Sequence, residues 1–67
     1  MNVIKIQNVK EIPRGVLWRC YTAEPSAESA IAQDRELYGS DPSFVFQKVL
    51  PSGRSSVYIP VLEGSLQ

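Results

Sequence analysis

Residues Thr22–Gly39 read TAEPSAESAIAQDRELYG, the one stretch of the chain whose apolar residues recur at helical spacing. At about 100° per residue, Ala27, Ala30, Ile31, Leu37 and Tyr38 fall on one stripe, and Glu28, Ala32, Arg35 and Glu36 fall opposite. Glu24 or Ser26 can cap the helix, and Pro25 suits its first position if Glu24 is the cap. Glu24 and Glu28 sit where the helix dipole favours carboxylates. Gly39 can close the helix in the left-handed conformation, and Pro42 bars its continuation. The alanines early in the stripe let such a helix lie close on a sheet.

Asp34 breaks the pattern, because it projects near the centre of the apolar stripe. A buried carboxylate without a partner is expensive. Either an ion pair or backbone contact satisfies it at a shallow part of the interface, or it marks a groove where a partner's basic or amide group docks. No second carboxylate shares the stripe, so a paired-carboxylate acid–base site is not supported.

Outward from this helix the chain alternates as strands do. Asn2 to Val9 places Ile4 and Ile6 on one face and Lys5 and Gln7 on the other. Ile12-Pro13-Arg14-Gly15-Val16 has the chemistry of a three-residue hairpin connection with a bulge. Val16 to Ala23 alternates Val16, Trp18 and Cys20 against Leu17, Arg19 and Tyr21. The first set is wholly apolar and is expected to face the core, with Cys20 as an inert small core residue.

Beyond the helix, Phe44 to Leu50 sets Phe44 and Phe46 against Val45, Gln47 and Val49. Pro51-Ser52-Gly53-Arg54 suits a second tight hairpin. Ser55 to Leu62 sets Val57, Ile59 and Val61 against Tyr58, Pro60 and Leu62. Pro60 cannot donate to a ladder, so the sheet should end or have an edge there. Residues 63–67 are expected to fray.

The predicted fold is a small two-layer α+β domain in ββαββ order, residues 1–67. It has a four-stranded, mainly antiparallel sheet with one helix packed on one face. Strand order is left open. A chain of 67 residues buries only roughly 60% of its unfolded surface, so its core is thin. One cysteine excludes an internal disulfide, and the lack of histidine argues against a structural zinc site. Self-association is the remaining route to extra stability.

The inventory of chemistry is mostly absences. The glycines at 15, 39, 53 and 64 are isolated, so there is no phosphate loop. No histidine is present to act as base or ligand, and no serine sits in a nucleophile elbow. Catalysis, a metal and a cofactor are not expected. No run approaches the roughly 20 apolar residues that span a bilayer, so no membrane is expected. The first residues lack the apolar core of a signal peptide, and a lone cysteine fits a reducing cytoplasm.

What remains is surface. One helix covers one face of a sheet. The expected uncovered face carries Leu17, Arg19, Tyr21, Val45, Gln47 and Tyr58, and the leading expectation is that it binds another protein or a second copy of the chain. A one-residue error in register would invert a strand's whole set. The alternative is a weak single-stranded nucleic-acid module that stacks bases on Tyr21 and Tyr58 beside Arg19, Lys48 and Arg54. Seven basic residues against seven acidic ones give a net charge of zero, which argues against nucleic acid as the main partner.

Overall fold

The computed structural model describes residues 1–61, and the expected tail and Leu62 lie outside them. Four strands and one helix follow one another as β1 (Asn2–Ile6), β2 (Trp18–Glu24), α1 (Ala27–Tyr38), β3 (Phe44–Val49) and β4 (Ser55–Pro60). They form a two-layer α+β domain, in which a mixed sheet of order β1-β3-β4-β2 carries α1 on one face. β3 and β4 pair antiparallel, as do β4 and β2, whereas β1 pairs parallel with β3.

The second predicted hairpin forms as its sequence requires. The Gly53 amide donates to the Leu50 carbonyl at 2.9 Å, and Leu50 N donates to Arg54 O at 2.7 Å. Pro51 supplies the fixed φ of the turn, and Gly53 takes φ +90°, which a side chain would disfavour.

The first predicted hairpin does not form. β1 and β2 occupy opposite edges of the sheet, so residues 7–17 are a crossing and not a turn. Gly15 keeps its left-handed φ of +84°, but the bend serves this crossing. Part of the connection is a short 3-10 turn, Val9–Glu11, closed by local chemistry. Asn8 Oδ1 accepts from the Lys10 amide at 3.0 Å, and the Glu11 carboxylate accepts from the Gln7 and Asn8 amides at 2.9 Å each.

Ser26, and not Glu24, caps α1, its hydroxyl accepting from the Ser29 amide at 3.1 Å. Ser29 Oγ in turn donates to Glu24 at 2.9 Å, tying the helix start to the end of β2. Gly39 ends the helix at φ +68°, and its amide donates to Arg35 O at 2.7 Å. Pro60 is the last residue of β4. The Val61 amide points to Leu17 O on the β2 side at 2.9 Å, so the position lacking an N–H faces β3, where pairing has already stopped at Tyr58.

The core beneath α1 consists of Ala27, Ala30 and Ile31 against Val45, Val57 and Ile59, with Val3 and Tyr21 packed at its margin. Leu37 and Tyr38, expected on the buried stripe, are instead exposed at the end of the helix. Asp34 takes the innermost place there, with none of its surface exposed. No helix among the described residues is long and apolar enough to cross a membrane.

Candidate interaction surface

Register fixes which side chains share a face. β1 pairs Val3 with Val45 and Ile4 with Phe46; β3 pairs Gln47 with Val57 and Phe46 with Tyr58; β2 pairs Arg19 with Ile59 and Cys20 with Tyr58. Val57 and Ile59 lie under the helix, so Val3, Val45, Gln47, Arg19 and Tyr21 lie on that side too. Ile4, Ile6, Trp18, Cys20, Phe44, Phe46 and Tyr58 point the other way.

The predicted surface set is therefore divided. Tyr58 lies on the face turned away from α1, as expected. Val45 is wholly buried in the core, and Gln47 donates to Ser55 Oγ at 2.8 Å beside it. Arg19 and Tyr21 bond Asp34 beneath the helix, and Leu17 precedes β2 at 69% exposure. Ile4 and Ile6, expected with Trp18, Cys20, Phe44 and Phe46 to face the helix, turn away from it with them. β1, β2 and β3 are thus each corrected by one residue, while Val57 and Ile59 of β4 face the helix as expected. The reason is steric. Ala27 and Ala30 bring the helix close to the sheet, which leaves room beneath it for valine and isoleucine but not for tryptophan or phenylalanine rings.

The position of Asp34 is now explained by its partners. Arg19 grips it with Nε on Oδ1 at 2.6 Å and Nη2 on Oδ2 at 2.9 Å. Ser40 Oγ donates to Oδ2 at 2.5 Å, and the Tyr21 hydroxyl donates to Oδ1. Burial pushes the Asp34 carboxyl up, but the bonds from Arg19, Ser40 and Tyr21 outweigh it and hold its pKa below the ordinary 3.8. Burial, then the bond to Asp34, pushes the Tyr21 hydroxyl up to about 12. The Arg19 guanidinium, raised chiefly by its bond to Asp34, also lies 4.1 Å above the Tyr38 ring. The cluster joins β2 to α1 and leaves no buried side-chain polar atom unpaired among the described residues.

The opposite face has its own aromatic packing. Trp18 reaches across β4 to Phe46 and Phe44, with ring centroids 5.4 and 6.2 Å away and planes at 69° and 73°. Phe44 and Phe46 meet at 5.8 Å and 81°. Trp18 Nε1 donates to Pro13 O at 3.2 Å, which pins the 7–17 connection over this face. The cover is incomplete. Ile4 remains 41% exposed, Trp18 and Phe44 are half-buried, and Cys20 is exposed, not a core residue as expected.

Where the connection lifts away, a concavity of about 420 Å3 opens between Val9, Ile12, Trp18 and Tyr58, with Lys10 and Arg14 on its walls. Cys20 borders it and lies 3.6 Å from Thr22 Oγ1. Burial and the neighbouring Cys20 thiol both raise the pKa of the Tyr58 hydroxyl. Among the described residues no three His, Cys, Asp or Glu side chains gather as a metal site.

Trp18, Phe44 and Ile4 do not stand out in the sequence as surface residues, because each belongs to the more apolar set of its strand. The signal that could have found them was Asp34. A carboxylate on the inner stripe of the helix needs a cation opposite, and Arg19 with Tyr21 is the strand pair that offers both a cation and a phenol on one face. Comparison with protein-family models, with characterised proteins and with solved structures finds no match to this chain.

Proposed function

We propose that this chain is a small non-catalytic interaction domain that binds another protein, or a second copy of itself, through the sheet face turned away from α1. The supporting observation is the composition of that face. Ile4 is exposed, Trp18 and Phe44 are half-buried, and an apolar concavity with basic walls adjoins them. Apolar and aromatic surface of this kind is what interfaces bury at their centres. The reducing cytoplasm is the setting that keeps the exposed Cys20 thiol free.

Cys20 also supplies the test, because it is the only cysteine and stands on this face. A photoactivatable benzophenone maleimide on Cys20 should cross-link a discrete partner, or a second copy of the chain, in an extract of the native host. The same label on a Cys20→Ser, Ala32→Cys variant reports from the outer surface of the helix. Equal yields from the two positions would refute the assignment to the sheet face.

A second reading has one specific observation in its favour. Trp18, Phe44, Phe46 and Tyr58 share this face with Lys48, and Lys10 and Arg14 stand beside it, a combination that single-stranded nucleic acids use. The zero net charge ranks it second. Titration with single-stranded RNA at low salt, where electrostatic attraction is strongest, removes it if no binding is seen.

A further inference from the structure

We infer that the concavity beneath the 7–17 connection takes an acidic peptide segment, an apolar side chain seated against Val9, Ile12 and Trp18 with flanking carboxylates on Lys10 and Arg14. This deepens the interaction role proposed above and rests on it. Volume is the first support. About 420 Å3 accommodates a few side chains, not a folded surface.

Charge is the second support. Lys10 and Arg14 are exposed on the walls and form no ion pair among the described residues. Glu11, next to Lys10 in the chain, accepts from the Gln7 and Asn8 amides and pairs with neither cation. On the other side of the molecule α1 exposes Glu28 and Glu36 together with Arg35. An acidic segment is therefore attracted to the concavity by Lys10 and Arg14.

Ring geometry separates this occupant from a nucleic acid. The Trp18, Phe44 and Phe46 planes meet at 69–81°, so each ring is engaged edge-to-face with its neighbours and no parallel platform is displayed for successive bases.

The test is selection from a phage-displayed random dodecapeptide library on the immobilised full chain. Enriched sequences are then synthesised and titrated against the emission of Trp18, the sole tryptophan and part of the concavity. Enrichment of Asp and Glu beside aromatic or aliphatic residues is expected. Binding to the unsubstituted chain should fall with added salt, and it should weaken about tenfold in a Lys10→Glu, Arg14→Glu variant. Both side chains are exposed, so the variant keeps the fold, which its far-UV circular dichroism verifies.

Neutral or basic enriched peptides that still perturb Trp18 would overturn the acidic preference while leaving the interaction role standing. Failure to enrich above a bare surface, or peptides that leave Trp18 unperturbed, would overturn this inference, while the interaction role stands or falls on the cross-linking yields from positions 20 and 32. An oligothymidylate perturbing Trp18 at lower concentration than any selected peptide would also overturn the inference and point to nucleic acid.

Discussion

Replacing Asp34 by alanine should bring this domain to the edge of unfolding. The substitution removes the acceptor for two Arg19 nitrogens, the Tyr21 hydroxyl and the Ser40 hydroxyl at one stroke. Breaking a buried ion pair by deleting one partner costs about 3–5 kcal/mol. Arg19 keeps 19% of its side chain exposed and its stack on Tyr38, so it can turn partly to water, and the cost should be about 3 kcal/mol. Domains carry about 0.05–0.15 kcal/mol of stability per residue, roughly 3–10 kcal/mol for this chain, so the loss is a large share of the whole.

Urea unfolding followed by Trp18 emission measures it. With a slope of about 1 kcal/mol per molar urea, the midpoint should fall by about 3 M, or the variant should be unfolded without denaturant. The sign with pH is fixed by the lowered carboxyl pKa. The stabilisation is complete above the unfolded value of 3.8 and is lost as pH falls through the folded value, so wild type and variant should converge in acid. Replacing the whole cluster at once, with Arg19→Met, Tyr21→Phe, Asp34→Leu and Ser40→Ala, should restore most of the loss, since no polar partner is left stranded. A loss below about 1 kcal/mol for Asp34→Ala at neutral pH would refute this account of the cluster.

Tyr21 gives the converse at alkaline pH. Its folded pKa is raised from 10.0 to about 12, so its contribution is complete below 10.0 and lost as pH rises through 12; absorbance of tyrosinate and thermal melts should track that window. Gly39→Ala should destabilise by about 1 kcal/mol in thermal or urea melts, a purely conformational cost, because an added methyl at φ +68° meets nothing within 4 Å. Ala23 holds φ +59° at the irregularity ending β2, with its carbonyl accepting from Arg54 Nη1 at 2.9 Å. Ala23→Gly should therefore stabilise by about 0.5 kcal/mol, the relieved strain exceeding the added chain entropy, and a drop in melting temperature would contradict it.

The helix and the second hairpin were legible because their signals are local. Capping residues, a left-handed Gly39 and the Pro51–Gly53 turn act within a few residues of themselves. The faces of three strands were not, because alternation gives two sets and does not say which one the helix covers. Mean apolarity favours Trp18 with Cys20 and Phe44 with Phe46, but clearance decides, and the alanines of α1 admit the smaller set. The first connection is not legible for a related reason. Pro13 and Gly15 do bend the chain, yet a bend does not reveal whether the strands on either side of it become neighbours. The predicted site follows the face assignment, so Tyr58 stays on the uncovered face, Val45 goes to the core, and Arg19, Tyr21 and Gln47 go half-buried to the helix side.

The place of β1 bears on how the chain assembles. Its ladder is with β3, and the register joins Val3 to Val45, so closing it spans on the order of 40 residues against about six for the β3–β4 hairpin. Chain-entropy scaling makes that closure roughly 2 kcal/mol dearer. The hairpin, β2 and α1 can form a helix-on-sheet unit first, with the N-terminal strand joining at an edge already laid down. The edge of β3 that carries Phe44 and Phe46 is paired by β1 only at that step. Release of β1 therefore uncovers the Phe44–Phe46 edge of the sheet while the β3–β4–β2 ladders stay paired.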